Sequence, residues 1–259
     1  MSIPGRRGPG GSKKGGAKKG GSPKGHSGRG LKPAAKLKTA KGRSVSSTRW
    51  LQRQLTDPYV AEARAQGYRS RSAFKLAQMD DKFGFLEPGA RVVDLGAAPG
   101  GWCQVVMERC GDHASVIAVD LAEMEPLPGV ICVTGDFHDT AVQARVAAAL
   151  DGPAKVVLSD LAAPASGHAG TDHLRIMALA EAAFDFAEDV LAPGGVFVVK
   201  LLQGGAEAEL LGRLKRAFAK VRHVKPSASR ADSSELYLVA TGFRGGNRGG
   251  NWGESGGGV

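Results

Sequence analysis

The stretch Val92-Val-Asp-Leu-Gly-Ala-Ala-Pro-Gly-Gly-Trp102 decides the fold of this 259-residue chain. It begins as an apolar, β-branched strand, passes through a glycine-rich turn and leads into a helical pattern. A dinucleotide-binding turn has the spacing Gly-x-Gly-x-x-Gly, which lets a pyrophosphate approach the helix N-terminus. Here the glycines are Gly96, Gly100 and Gly101, so the turn favours a nucleoside ligand that carries no pyrophosphate. We therefore expect an α/β sheet whose first strand ends in a ligand-binding loop.

Short apolar runs alternate with helical stretches around this loop. Strands are expected at Arg91–Leu95, Ser115–Asp120, Val130–Val133, Lys155–Ser159, Val196–Lys200, Val221–Val224 and Glu235–Thr241. Helices are expected at Ser72–Phe83, Gly101–Arg109, Thr140–Leu150, Asp172–Leu191 and Ala206–Ala219, with a further helical pattern from about Thr48. This alternation is typical of a mostly parallel, doubly wound sheet with helices on both faces, here with seven strands. The last two strands are expected to form an antiparallel pair.

The formal net charge of +10 is concentrated ahead of the folded domain. Residues 1–45 contain thirteen Lys or Arg and no acid. Such a Gly/Lys-rich segment has too little apolar surface to order itself, so we expect a disordered basic tail there. A folded domain over residues 46–242 and a flexible glycine-rich tail over residues 243–259 complete the predicted organisation. The basic tail is interpreted either as an arm that neutralises RNA phosphates or as a solubilising extension.

Composition argues against several other classes of protein. The three cysteines have no paired spacing, and the six histidines show no zinc-binding pattern. No apolar stretch reaches the roughly 20 residues of a membrane span, and the N-terminus lacks the apolar core of a secretory signal. We therefore expect a cytoplasmic protein with no metal site and no membrane association. A monomer is expected as well.

Polar residues stand where a ligand site is expected, at the carboxyl ends of parallel strands. Asp120 ends the second strand, where a carboxylate can accept hydrogen bonds from ribose hydroxyls. Asp136 follows the third strand, where it can accept from an adenine amino group. Four further polar residues lie at the fourth, fifth and last strands and on the helix before the sheet: Asp160, Lys200, Glu235 and Lys75.

Several stretches, in this order, resemble the FtsJ/RlmE family of ribosomal RNA methyltransferases. They are Arg49-Trp-Leu-Gln52, Gly67-Tyr-Arg-Ser-Arg-Ser-Ala-Phe-Lys75, Val93–Trp102, Ser159-Asp160, Leu191-Ala-Pro-Gly-Gly195, Phe197-Val-Val-Lys200 and Lys225–Gly242. The resemblance covers about residues 48–242. It departs at Leu161, where the family usually has methionine, and at Pro164, which stands one place later than usual. These departures concern the shape of the methyl-transfer pocket rather than its chemistry.

The resemblance implies a Rossmann-like fold of the class I methyltransferases that use S-adenosylmethionine. It implies cofactor contacts at Gly100, Trp102, Asp120, Asp136 and Asp160. It also implies a catalytic tetrad of Lys75, Asp160, Lys200 and Glu235 for 2′-O-methylation. The bacterial branch acts on a uridine ribose in the A-loop of 23S rRNA, within the large ribosomal subunit or its precursor.

Within this tetrad, Lys200 is the candidate base for the ribose hydroxyl, and no metal ion is required. Burial and Lys75 would favour its neutral form, whereas Asp160 and Glu235 would favour its charged form. The sequence leaves open whether Lys200 takes the proton or mainly orients the hydroxyl, and positioning contributes to the rate either way.

Other functions stay open at this point. The same chemistry on another RNA, such as tRNA, is the nearest alternative, and a non-catalytic RNA-binding module is a more distant one. A cytosine carbon-5 methyltransferase needs a cysteine near Ser159-Asp160, and an exocyclic-amine enzyme typically has Pro-Pro-aromatic there; the chain has neither. A nicotinamide-dependent dehydrogenase is disfavoured by the glycine spacing.

Overall fold

The computed structural model describes residues 57–164, 166–204 and 207–245. The predicted basic tail, nearly all of the C-terminal tail and the start of the helical pattern at Thr48 lie outside the described residues. The helices are α1 (Pro58–Gln66), α2 (Ala73–Phe83), α3 (Gly101–Cys110), α4 (Thr140–Ala149), α5 (Ala169–Val190) and α6 (Ala208–Ala217). The strands are β1 (Arg91–Leu95), β2 (Ser115–Asp120), β3 (Val130–Thr134), β4 (Ala154–Ser159), β5 (Leu191–Leu202), β6 (Phe218–Val224) and β7 (Glu235–Phe243).

The strands form one seven-stranded sheet in the order β3-β2-β1-β4-β5-β7-β6. Neighbouring strands are parallel, except that β7 runs antiparallel to both β5 and β6. The predicted mostly parallel, Rossmann-like sheet with a final antiparallel pair is therefore confirmed. The strand order reverses between the adjacent strands β1 and β4, which places a ligand crevice beyond their carboxyl ends. Because β7 is antiparallel, its first residues lie at this same edge.

Helices cover both faces of the sheet because the strand side chains are apolar on both sides. One core lies between the sheet and α4, α5 and α6, with Phe184 and Phe197 fully buried. The other lies between the sheet and α2 and α3, and it contains Leu76, Trp102 and Tyr237. This second core includes Ala97, so it packs against the loop after β1.

Most element boundaries agree with the predicted ones to within about three residues, and the larger or more informative differences lie near the C-terminal end of the domain. The last helix ends at Ala217 rather than Ala219, because Phe218 is already extended (φ −119°, ψ 155°) and is buried opposite Phe243. The fifth strand begins at Leu191 rather than Val196, and its pairing with β4 shifts register between Ala154 and Val156. The last strand extends through Phe243, one residue past the predicted end of the domain. Among the described residues, no helix combines the length and the apolar character needed to cross a bilayer.

Candidate active site

The turn after β1 packs directly against the turn after β4. Gly96 has a φ of 81°, and a Cβ added there would lie 2.9 Å from the backbone nitrogen of Leu161. The Asp160 N–H donates to the Leu95 carbonyl at 2.9 Å. Glycine is required at position 96 because two backbones meet there at a left-handed φ. This contact brings the glycine-rich loop, residues 96–101, beside Asp160.

Asp120 supports the glycine-rich loop from the next strand. Its carboxylate accepts the backbone N–H groups of Ala98 and Ala122, both at 2.9 Å. Its carbonyl accepts the N–H of Gly135 at 3.0 Å, which brings Asp136 to the same edge. Asp136 is exposed, and its carboxylate caps its own turn. Each carboxylate oxygen has a second lone pair, so both groups retain acceptors for a nucleoside.

Trp102 is placed differently from a residue that touches a ligand through its ring. The side chain is buried among the second core, and its indole N–H donates to the Ser72 carbonyl at 2.8 Å. Gly100 caps α3, so the backbone N–H of Trp102 belongs to the first helical turn, where N–H groups have no intrahelical acceptor. A cofactor contact at Trp102 is therefore expected through its backbone, and it stays a prediction.

Arg69 holds the glycine-rich loop in place by hydrogen bonds, and this role was not predicted from the sequence. Its guanidinium donates to the carbonyls of Pro99, Glu125 and Pro126, at 3.2, 2.7 and 2.9 Å. A Cβ on Gly100 would lie 2.9 Å from the Arg69 Nη1 atom, so Gly100 is needed for this close approach. The loop after β1 is thereby tied to the loop after β2. No local signal marks Arg69, because its three acceptors are distant backbone carbonyls.

Asp94, at the end of β1, is a fully buried carboxylate. Cys103 donates its thiol to one carboxylate oxygen at 3.2 Å, and the other oxygen has no hydrogen-bond partner among the described residues. Burial raises the pKa of Asp94 to about 7; the Cys103 hydrogen bond lowers it, and the charges of Asp160 and Asp120 add to the rise. A buried carboxyl group with a raised pKa therefore lies next to the last residue of the first strand.

The structure brings the four predicted tetrad residues together as two lysine–carboxylate pairs. Lys75 of α2 lies with its Nζ 2.6 Å from Glu235 Oε1. Lys200 of β5 lies with its Nζ 3.1 Å from Asp160 Oδ1 and donates to the Asp160 carbonyl at 2.6 Å. All four side chains are at most 19% exposed, so water screens these charges only weakly.

Tyr237 joins the two pairs and was not predicted. Its hydroxyl donates to Asp160 Oδ1 at 2.8 Å, and Lys75 Nζ lies 3.4 Å from the same hydroxyl oxygen. Burial, together with the charges of Asp160 and Glu235, raises the pKa of Tyr237 well above its usual value. Tyr237 therefore keeps its proton near neutral pH and acts as a donor rather than as a base. Its position two residues after Glu235 on the same strand face was the available signal.

Glu235 is held in its charged form. Burial raises its pKa, but Lys75, with its charge and its hydrogen bond, lowers it, and so do the charge of Lys200 and a hydrogen bond from Ser229. The net result is a pKa below the usual value. The Ser229 hydroxyl lies 3.1 Å from the same oxygen that pairs with Lys75. Glu235 therefore works as a fixed anion that orients Lys75.

A cleft of about 370 Å³ opens beside the Lys75–Glu235 pair. Its lining includes Arg71 and Arg230, which also contact the carboxylate of Asp57. Asp57 is the N-cap of α1, and it positions both guanidinium groups at the wall of the cleft. The cleft thus places two arginine side chains beside the Lys75–Glu235 pair.

A family model described as "FtsJ-like methyltransferase" matches residues 68–243. The chain belongs to the FtsJ-like methyltransferase family. The match begins just ahead of α2 and ends at the last residue of β7, so it includes all four tetrad positions and the glycine-rich loop.

Curated relatives are similar over nearly their whole length. "Ribosomal RNA large subunit methyltransferase E" of Granulibacter bethesdensis is 58% identical over 208 residues, covering 80% of this chain and 90% of that protein. The protein of the same name from Acidiphilium cryptum is 57% identical over 211 residues, covering 82% and 93%. A solved structure, named for a ribosomal RNA methyltransferase of Plasmodium falciparum, is 32% identical with a TM-score of 0.60, covering 69% of this chain and 100% of that one.

The cofactor of this FtsJ-like methyltransferase is S-adenosylmethionine, as predicted. The residues present fit its nucleoside part: a slot at the carboxyl ends of β1–β3 is lined by Ala97, Ala118, Val133 and the Asp120 carboxylate. Small apolar side chains line this slot, and the carboxylate supplies an acceptor for hydroxyl groups. Leu161, where the family usually has methionine, packs against the first core through its side chain. Which residues touch the cofactor stays a prediction.

Proposed function

We propose that this chain transfers a methyl group from S-adenosylmethionine to the 2′-hydroxyl of a uridine ribose in the A-loop of 23S rRNA. The observation that carries the proposal is the pair of lysine–carboxylate contacts joined through Tyr237, next to the glycine-rich loop. The curated relatives, whose names specify large-subunit ribosomal RNA, support the choice of RNA. A cytoplasmic, monomeric enzyme acting on the large subunit or its precursor stays a prediction.

Lys200 is the group proposed to meet the reacting hydroxyl. Bound S-adenosylmethionine supplies an electrophilic methyl group on a positively charged sulfur. Lys200 Nζ already makes two contacts with Asp160, one to the carbonyl and one to the carboxylate. A neutral amine has two N–H bonds, so these contacts use both and leave the lone pair for the hydroxyl proton. In the orienting role, the third N–H of an ammonium donates to the hydroxyl oxygen instead.

Lys75 and Asp160 hold this arrangement. Asp160 fixes Lys200, and Tyr237 donates to the same Asp160 oxygen that faces Lys200. Lys75, paired with Glu235, lies at the wall of the cleft and places a positive charge beside the acceptor nucleotide. Fixed charges in a site with little water are effective because they need no reorganisation during the reaction.

The first test replaces Lys200 by alanine. We expect methyl transfer to fall by about a thousandfold or more, the range for a lost proton acceptor and orienting group, with cofactor affinity near normal. Lys155→Ala is the matched control, because Lys155 pairs with Glu87 at the opposite end of the sheet. The readouts are turnover at saturating cofactor and calorimetric binding of S-adenosylmethionine. Normal turnover in Lys200→Ala would overturn the assignment of Lys200.

The RNA itself is tested by mapping 2′-O-methyl groups in RNA from cells with and without the gene. The proposal predicts loss of one methyl group at the A-loop uridine of 23S rRNA. A methyl group lost only from tRNA would instead assign the alternative substrate. Retained RNA binding by a protein that does not bind S-adenosylmethionine would favour a non-catalytic RNA-binding module.

A further inference from the structure

Charge within the folded domain is distributed unevenly along the chain. Residues 57–212 contain eleven Lys or Arg and twenty-two Asp or Glu, whereas residues 213–244 contain eight Lys or Arg and only two acids. The second segment forms the C-terminal turns of α6, the edge strand β6 and β7. A polyanion is therefore repelled by most of the domain and attracted to this side.

Four exposed cations on this side form a surface that we call the basic edge: Lys215, Arg216, Lys220 and Arg222. Lys220 and Arg222 alternate with Val221, so they share one face of β6. Arg244 donates to the carbonyls of Lys215 and Arg216, at 3.0 and 2.7 Å. These bonds fix the end of α6 beside the start of β6. Cations on two elements therefore lie along one border of the sheet.

None of the four side chains is in an ion pair within the described residues (57–164, 166–204 and 207–245). By contrast, Arg71, Lys75, Lys200 and Arg230, around the candidate active site, each contact a carboxylate. Paired cations contribute to structure, whereas unpaired, exposed ones are available for an external anion. Edge strands also carry lysines to prevent pairing with other chains. That role does not account for the cations on α6, which does not belong to the sheet.

The basic edge runs along β6 toward the end of the sheet where the cleft lies. β6 is parallel to β1 in direction, since both β6 and β5 oppose β7, so its last residue lies at the substrate edge of the sheet. The connection from β6 to β7 then supplies Arg230, Asp232 and Ser233 to the cleft wall. The seven residues of β6 span roughly 20 Å, which is several nucleotides of an RNA strand.

We propose that the basic edge binds the phosphodiester backbone of the substrate RNA several nucleotides away from the methylated ribose. The proposal rests on the proposed function, because it takes RNA as the substrate. The edge adds affinity without contacting the reacting atoms, so it acts on RNA binding and not on the chemical step.

The test is a triple variant, Lys215→Gln, Lys220→Gln and Arg222→Gln, in the full chain. Its control is Arg64→Gln, Arg91→Gln and Arg145→Gln, which removes three exposed cations from the acidic part of the domain; like Lys215, Arg64 lies in the last turn of a helix. The basic residues of positions 1–45 are present in every variant and cancel in the comparison. The readouts are binding of a fluorescent 23S A-loop hairpin at several salt concentrations, methyl transfer to unmethylated large subunits, and cofactor affinity.

We expect the triple variant to lose about tenfold in hairpin affinity and roughly two to three units in the slope of log affinity against log salt, or about 0.7 to 0.9 for each of the three lost phosphate contacts. The KM for large subunits should rise while kcat and cofactor affinity stay the same. If the hairpin affinity and the salt slope of the triple variant equal those of the control, the basic edge does not bind RNA, whether or not methylation is normal. A wild-type protein that binds the hairpin through the edge but methylates no ribosomal RNA would instead overturn the proposed function.

Discussion

At the scale of single residues, Tyr237 decides how the two lysine–carboxylate pairs are coupled. Its hydroxyl is the contact between the Asp160 side and the Lys75 side of the site. Because burial raises its pKa well above the usual value, it remains a hydrogen-bond donor throughout the neutral range. Removing the hydroxyl leaves the ring and its packing against Trp102 in place.

Tyr237→Phe is therefore expected to lower kcat by about tenfold, the value of one hydrogen bond to a charged group, with little change in cofactor affinity. Tyr68→Phe is the matched control, since it removes a tyrosine–carboxylate bond to Glu108 away from the site. Steady-state methylation rates and cofactor titration measure both variants. Equal kcat in wild type and Tyr237→Phe would contradict the coupling role.

Asp94 gives the folded protein a distinct dependence on pH. Its folded-state pKa is about 7, against 3.8 for the ordinary carboxyl. Between these values the folded protein holds a proton that the unfolded chain has lost, so stability from this group falls as pH rises through the window. Glu235 acts oppositely: its lowered pKa adds stability that is lost only as pH falls into the acid range.

Asp94→Asn should remove this loss. The difference in unfolding free energy, variant minus wild type, should increase by roughly 3 kcal/mol from about pH 5 to about pH 8. Urea unfolding at the two pH values measures the difference. Parallel pH profiles for the two proteins would show that Asp94 does not titrate in this window.

At the scale of elements, the turns after β1 and β4 form one unit through Gly96. In the Gly96→Ala variant, the alanine would have to adopt a left-handed φ, and its Cβ would lie 2.9 Å from the backbone nitrogen of Leu161. A backbone atom cannot move aside as the end of a flexible side chain can. We expect a loss of about 2–4 kcal/mol in unfolding free energy and weakened cofactor binding.

Gly84→Ala is the control for backbone strain alone. Gly84 has a similar φ of 61°, with nothing within 4 Å of an added Cβ. It should cost about 1 kcal/mol and leave cofactor affinity unchanged. Denaturant unfolding and cofactor titration compare the two glycines. Equal losses in both variants would mean that the contact between the turns is relaxed without cost.

Elements were predictable from sequence where a periodic pattern coincided with turn residues. The strand Arg91–Leu95 is bounded by Pro88-Gly89 and by Gly96, and its predicted and observed limits agree. The end of α6 was wrong by two residues, because Phe218 fits the helical period, and it is extended only because the core and Phe243 require it. The tetrad positions were predicted through the resemblance to the FtsJ/RlmE family; only Asp160 and Glu235 stand at strand ends, whereas Lys75 and Lys200 lie within α2 and β5. Tyr237 and Arg69 were missed, because their partners are set by packing between distant segments.

At the scale of the whole molecule, the formal charge of +10 is the sum of three regions whose sign alternates along the chain. The N-terminal residues are basic, the cofactor-binding part of the domain is acidic, and the α6–β6–β7 side is basic again. Sequence reading assigned the positive charge to the tail alone. The sheet order shows why that was incomplete: the last strands assemble cations from separate positions onto one border.

The antiparallel strand β7 is synthesised last but lies inside the sheet, between β5 and β6. Ribosomes synthesise the chain from its N-terminus, and domains begin to fold as they emerge. When β6 has emerged, Lys75 still lacks Glu235, Asp160 lacks Tyr237, and β5 has no neighbour on one side. The final strand inserts between β5 and β6 and delivers both residues in one step. Completion of the sheet and assembly of the proposed tetrad with Tyr237 are therefore the same event.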